Sequence, residues 1–404
     1  MSRPRVLLAL ALLYTAQGVP FGLAAEYLPV VLREAKMSYA AIAAVGWLQL
    51  PWQLKPLFAG VADDPRVRRR SRLVLLALQL GLTATLAAYA PFRVGRAWFV
   101  LTALAALFAA FQDVFVDALA VRALSRGDRG FGNVAQVAGY RLGMLLGGAG
   151  LLLSVATLGQ ETTLLALAGL VGAASVGAFL AREEPGASEA PRESAPPSVR
   201  LGARALVRHL LGPEVRVVLA VALSFKFGLH VASGLLKPMV VDAGWSKREI
   251  GLAVVTVGTV CGLVGAGTGG LLHRKLGETR ALVVAAVLQA LSCVPLVVAV
   301  LQRCPRSTTT IAIGAEHFVS GVGTTILFAS LMTATRRSDA GLHYTVLTSA
   351  NAVAIGFGGL LGGLLADRLG LPTTFVVAAA LCLAPLALLG RWTAAATASA
   401  GETA

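Results

Sequence analysis

The chain has 404 residues, 56% of them hydrophobic and 14% charged, with a formal net charge of +15. Its apolar residues come in runs of about 20 or more, long enough to cross a bilayer, which excludes a soluble globular domain. The positive charge does not point to nucleic acid, because Lys and Arg gather in alternate connections between the apolar runs. They orient the chain and meet anionic lipid headgroups.

The runs predict an all-α polytopic membrane protein of twelve spans, with both termini cytoplasmic. The start, Met1 to Arg5 followed by Val6 to Leu13, resembles a signal peptide. Its apolar character continues to about Leu32 without a polar cleavage region, so it reads as an uncleaved first span. That span holds Gln17-Gly18-Val19-Pro20-Phe21-Gly22, a stretch that lets a neighbour approach the backbone. Glu26 in its outer half is either a gating carboxylate or a side chain reaching the headgroups.

The second span, about Ala40 to Ala62, carries Lys55. This cation either snorkels to the cytoplasmic surface or meets a carboxylate or phosphate. Gly60, Asp63, Asp64, Arg68 and Arg69 follow as a glycine, an acid pair and a basic cluster. Such groups pair with helix ends and can hold one closed state of a moving protein.

The fourth span, about Arg96 to Val121, contains Asp113 and Asp117 in an otherwise apolar setting. Four-residue spacing places both on one helix face. Ionised carboxylates in hydrocarbon are costly and normally face a bundle interior or a wet path. They therefore read as proton-coupling groups, or as a structural polar face between helices. The fifth span, about Phe131 to Thr157, holds Gly139, Gly143 and Gly147 at packing intervals, with Arg141 among them. Arg141 can grip an oxyanion with its planar fork or pair with Asp113 or Asp117.

After the sixth span composition changes. Arg182 to Ser198 is rich in Glu, Pro and Ser and reads as a disordered cytoplasmic linker. Val199 to Leu211 places Arg200, Arg204 and Arg208 against apolar residues, a basic helix suited to the inner membrane surface. The expected organisation is a six-span half at 1–181, a linker at 182–213 and a second half at 214–404.

In the second half the seventh span carries Lys226 and His230 on one face, and the tenth carries Glu316 and His317. A membrane Glu beside a His is either a proton relay or a satisfied internal pair. Gly269-Gly270-Leu271-Leu272 leading to Gly277 recurs as Gly362-Gly363-Leu364-Leu365 leading to Gly370. These copies lie three spans apart, as inverted three-helix repeats require. Cys261, Cys293, Cys304 and Cys382 fall at no ligand spacing and read as packing residues, so neither a metal nor a cofactor is expected. No nucleophile elbow or phosphate loop is present, which argues for a transporter over an enzyme.

Several blocks resemble the AmpG-type muropeptide permeases and the acetyl-CoA transporter-like group of the major facilitator superfamily. They are Gln112-Asp113 with Asp117, Gly139-Tyr140-Arg141-Leu142-Gly143, Leu54-Lys55 ahead of Asp63, Lys226-Phe227-Gly228, and Gly321-Val322-Gly323-Thr324-Thr325. The resemblance implies a major facilitator fold, alternating access, and symport of a small anionic solute with protons by a monomer, most readily in a bacterial inner membrane. It adds Gln112 and Tyr140 to Lys55, Arg141 and Lys226 as expected solute contacts. Asp113, Asp117, Glu316, His317, His230 and Glu26 are the expected proton-coupling set. The family pattern places an acid directly after the Lys-x-Gly of the seventh span, where this chain has Leu229.

Overall fold

The computed structural model describes residues 3–54, 58, 61–62, 64–92, 94–124, 129–180, 212–335 and 340–400. The expected linker and basic surface helix, together with Lys55, Gly60 and Asp63, lie outside them. Among the described residues, ten helices are long and apolar enough to span a membrane: α1 (Pro4–Glu34), α4 (Arg96–Ala120), α5 (Ala135–Leu158), α6 (Gln160–Leu180), α7 (Val215–Asp242), α8 (Lys247–Leu276), α9 (Glu278–Leu301), α10 (Arg306–Thr333), α11 (Val346–Leu369) and α12 (Leu371–Leu389). The shorter apolar helix α3 (Ser71–Ala87) and the irregular α2 (39–53) complete twelve. Both α8 and α10 begin several residues before the sequence reading places them. A hydropathy window stops at the first charges, whereas the helix itself continues into the headgroup layer.

The chain divides into two compact units. The first comprises Met1–Met37, Val45–Pro191 and Trp245–Val255; the second comprises Ser38–Ala44, Arg192–Gly244 and Thr256–Ala404. Each unit therefore includes the opening of a helix whose remainder belongs to the other.

In the first unit α1 lies against α5 through glycine. A Cβ on Gly139 would stand 2.6 Å from the Ala11 carbonyl, and one on Gly143 would stand 2.8 Å from the Gly18 Cα. Only helices without side chains at these points approach so closely. Further along, α1 opens into a π-helical turn at Leu23–Tyr27 and α5 into another at Leu146–Gly150. The two meet where Gly148 faces the Glu26 stem. An internal polar bridge joins three helices. Gln112 of α4 donates to Gln79 of α3, which donates to the Val171 carbonyl of α6. The start of α8 is stopped by a Ser246–Glu249 capping box, and Lys247 pairs with Glu34 at 2.6 Å.

The second unit is built the same way. Gly265 and Gly321 bring α8 and α10 into backbone contact, and Gly358 and Gly362 do so for α11 and α7. Its core gathers Phe225, Leu282, Ile326, Leu331 and Trp392. The opening turn of α2 is held here by two carboxylates. The backbone N–H groups of Tyr39 and Ala40 each donate to one oxygen of Asp367 at 2.9 Å, and the Tyr39 hydroxyl donates to Asp242. A carboxylate at a helix N-terminus satisfies otherwise orphaned donors. Large apolar side chains such as Ile311, 71% exposed, face outward, as contact with lipid tails allows.

The repeated Gly-Gly-Leu-Leu stretches have a structural meaning. α8 passes to α9 through Gly277 (φ 75°, ψ 170°), and α11 passes to α12 through Gly370 (φ 78°, ψ 165°). A third copy of this one-residue joint, not evident from the sequence, connects α5 to α6 at Gly159 (φ 78°, ψ 163°). The second and third helices of three triplets thus share one joint, in a backbone region open essentially to glycine alone. Gly277→Ala meets no atom within 4 Å, so only backbone strain opposes it. It is expected to cost about 1–3 kcal/mol, read as a lower thermal midpoint of the purified protein. An unchanged midpoint would show that the joint tolerates a side chain.

Candidate functional site

Among the described residues, two clusters of ionisable and polar side chains lie inside the spans, one in each unit. In the first, Asp117 is half-buried on α4. It accepts the Tyr14 hydroxyl of α1 at 2.6 Å and the Gln136 amide of α5 at 3.2 Å. One carboxylate thereby ties three helices together. Asp113, one turn away and 5% exposed, stands within electrostatic range of Tyr14 and Tyr140. Tyr140 lies against Phe21 with ring centroids 5.9 Å apart, and Phe21 meets Trp52 edge-on at 6.2 Å. This aromatic group lies one helical turn along α1 from Gln17. That residue is wholly buried, and its amide has no hydrogen-bond partner among the described residues.

Arg141 has a different surrounding from the pairing considered on sequence grounds. It is exposed, and among the described residues no carboxylate lies within ion-pairing distance of it. The ties that Asp117 makes to α1 and α5 run through Tyr14 and Gln136 instead. Gln112 of α4 is wholly buried and gives its amide to Gln79. Glu26 sits on the π turn of α1, its stem against Gly148. Of the loop residues, Asp64 caps the short helix Pro65–Arg68 by accepting the Arg66 backbone N–H at 2.8 Å; Arg68 ends that helix and the exposed Arg69 follows.

The second cluster joins α7 to α10. α7 departs from regular helix at Phe225–Lys226 and again at Gly234–Leu235. Lys226, 2% exposed, lies at the first interruption and donates to the Ser320 hydroxyl at 2.9 Å and the Ser320 carbonyl at 3.0 Å. An ammonium has three N–H groups, so one remains uncommitted among the described residues. One turn on, His230 Nδ1 lies 3.0 Å from the Lys226 carbonyl. Near the second interruption, Ser233 donates to Glu316 Oε1. The other carboxylate oxygen, Oε2, lies 2.9 Å from His317 Nδ1. Glu316 is 1% exposed, whereas the His317 side chain is 28% exposed.

Lys226, His230, Glu316 and His317, from two spans far apart in the sequence, are therefore one constellation. Ser233, Ser320, Tyr14 and Gln136 belong to the clusters and were not singled out from the sequence. A signal was present for all four: Ser233 lies three residues from His230, Ser320 four from Glu316, Tyr14 three from Gln17, and Gln136 four from Tyr140. Each shares a helical face with a polar residue already noted.

Helices that bury ionisable groups in two polar clusters while presenting apolar side chains outward are the construction of a solute transporter. The chain belongs to the Major Facilitator Superfamily, whose family profile matches residues 6–338. It is 26% identical over 388 residues to the anhydromuropeptide permease of Escherichia coli (strain K12), covering 94% of this chain and 78% of the permease. Among solved structures, a D-xylose-proton symporter matches with a TM-score of 0.69 at 13% identity, over 96% of this chain and 97% of the symporter. The nucleoside transporter NupG matches with a TM-score of 0.69 at 14% identity, over 98% and 99%. The protein is a multi-pass membrane transporter of that superfamily.

The Asp117 tie gives a direct test. Tyr14→Phe removes one donor to a carboxylate and is expected to destabilise the folded protein by about 1.5–3 kcal/mol. Thermal unfolding in detergent measures this. A midpoint equal to that of the parent protein would remove Tyr14 as an anchor.

Proposed function

We propose that this protein is a secondary active transporter that works by alternating access and moves a small anionic solute together with protons. The solute class proposed is a muropeptide-like sugar-peptide, and the setting a bacterial inner membrane with both termini cytoplasmic. The observation that carries the reading is the α7–α10 cluster, which brings one buried ammonium and one buried carboxylate together with two half-buried imidazoles.

The physical logic is a charge balance. With both imidazoles neutral, Lys226 and Glu316 cancel. One additional proton leaves the cluster with a net positive charge. At about 8 Å and an effective dielectric constant of about 20, a unit charge favours an anionic group by about 2 kcal/mol, roughly thirtyfold in affinity. Linkage is reciprocal, so a bound anion favours proton uptake to the same degree. Proton and anion then travel as a pair. The uncommitted N–H of Lys226 and the exposed guanidinium of Arg141 are the proposed contacts for carboxylate or phosphate. Phe21, Trp52 and Tyr140 provide aromatic faces suited to a sugar ring. Asp113 is proposed as a second protonatable carboxylate, and Asp117 as an anchor whose Oδ1 accepts both Tyr14 and Gln136. The 26% identity to an anhydromuropeptide permease along nearly the whole chain supports the solute class.

Purified protein in proteoliposomes should accumulate a labelled anhydromuropeptide when the outside is acidic, and much less without a pH gradient. Labelled acetyl-CoA and a neutral disaccharide complete the panel. Uptake of acetyl-CoA alone would transfer the solute assignment to nucleotide-type anions, and uptake of nothing would leave a receptor with a transporter fold. Lys226→Gln should reduce uptake of the anionic probe roughly tenfold or more, since it removes a buried charge of the magnitude above. An equal loss for the neutral sugar would show that Lys226 serves the fold instead.

A further inference from the structure

The Glu316–His317 pair contains more information than its charges. His317 Nδ1 lies 2.9 Å from Glu316 Oε2 and 3.0 Å from the Ile313 carbonyl oxygen. A carbonyl oxygen can only accept. A ring nitrogen placed between it and a carboxylate oxygen must therefore carry hydrogen. The converse arrangement, a protonated Glu316 donating to a bare Nδ1, would set the nitrogen lone pair against the Ile313 carbonyl. The Nδ1–H tautomer is thus imposed by backbone geometry, and any further proton on this ring has to enter at Nε2.

The ring can occupy this position only because of a glycine on a neighbouring helix. A Cβ on Gly258 of α8 would stand 2.7 Å from His317 Cδ2, 2.9 Å from Nε2 and 3.1 Å from Cγ. All three contacts are to the imidazole itself. Gly258 also lies immediately after the π-helical turn Gly251–Thr256, where α8 resumes regular winding.

We infer that His317 keeps one proton on Nδ1, committed to Glu316, and takes up the exchangeable proton on Nε2, with Gly258 as the positioning residue that makes room for the ring. This rests on the proposed role of Glu316 and His317 in proton coupling. The half-open ring is the path by which a proton reaches a carboxylate that is itself sealed from solvent. Ser233 holds the opposite carboxylate oxygen, so Glu316 cannot swing away from the imidazole without losing a bond. The other titratable groups around the pair are Lys226 and His230 from α7, Cys261 from α8, Cys293 from α9 and Cys382 from α12.

The test is nitrogen NMR of the full-length protein labelled at its five histidines, with the His317 signal assigned by its loss in His317→Asn. The expected result is an Nδ1–H tautomer at high pH and a titration that moves the Nε2 resonance. In Gly258→Ala the methyl displaces the ring from Glu316, and the signal should change to the Nε2–H tautomer common in free imidazole. In the same variant, uptake of labelled anhydromuropeptide should lose its pH dependence, about tenfold per unit of gradient for one proton per solute. If Gly258→Ala alone does not fold, Gly258→Ala combined with His317→Asn should, because asparagine is short enough to clear the methyl. Failure of that double variant would show that the glycine serves another contact and would overturn the inference. So would an Nε2–H tautomer in the parent protein, or an unchanged His317 signal in Gly258→Ala. Absence of anhydromuropeptide uptake by the parent would count against the proposed solute, while the tautomer result would still decide this assignment.

Discussion

An ionised group in hydrocarbon has no water to turn to, and that constraint orders this molecule. Glu316 illustrates it. The carboxylate is sealed from solvent, so each oxygen needs a protein donor, and each has one, Ser233 on one side and His317 on the other. Those donors dictate which helices must be adjacent. Ser233 lies on α7, Glu316 and His317 lie on α10, and Lys226 returns from α7 to Ser320 of α10. These contacts together fix the pairing of two spans over about two turns of α7. Asp117 does the same in the first unit, drawing α1 and α5 onto α4.

Glycine is the complement of this polar requirement. Between helices of one membrane unit the hydrophobic effect offers little preference for neighbour over lipid, so close backbone packing takes its place. The α1–α5 contact at Gly139, Gly143 and Gly147 positions Tyr14 for Asp117. The α8–α10 contact at Gly265 and Gly321 continues to Gly258, where the space left by a missing side chain is filled by His317. Packing and chemistry are then one design. The helices approach closely because they carry glycine, and the imidazole finds its seat because one of those glycines leaves it.

Departures from regular helix fall beside the same residues. Lys226 occupies an interruption of α7, Ser233 borders another, and Glu26 rides on a π turn of α1. Irregular turns in membrane helices are tolerated where the backbone is buried in protein or lines a wet path, and they expose groups that a straight helix would use internally. Their placement beside the charged clusters accords with the division of labour in this fold, with regular apolar helix toward lipid and irregular polar helix toward the interior.

Class, span number and most cluster members were legible in the chain itself, and for a physical reason. Hydrophobic runs of bilayer length have few alternatives, and any charge within them must be accounted for, so Asp113, Asp117, Lys226 and Glu316 stand out without a structure. Partners were not legible. Arg141 was a reasonable mate for the aspartates by charge, yet Asp117 is served by Tyr14 and Gln136, neutral side chains that composition gives no reason to select. Gln112, adjacent to Asp113 in sequence, points to Gln79 because neighbouring residues on a helix face different directions. The assignment of the α2 and α8 openings to compact units was equally hidden, since it depends on Asp367 and Glu34, remote in sequence from the turns they hold. The sequence by itself determined that this is a twelve-span membrane protein with costly charge in chosen helices, because hydropathy is a property of single residues summed along the chain. Only the tertiary structure decided which donor meets which carboxylate, because that depends on helix rotation and separation, set jointly by glycine contacts and by the demand that no buried charge be left alone.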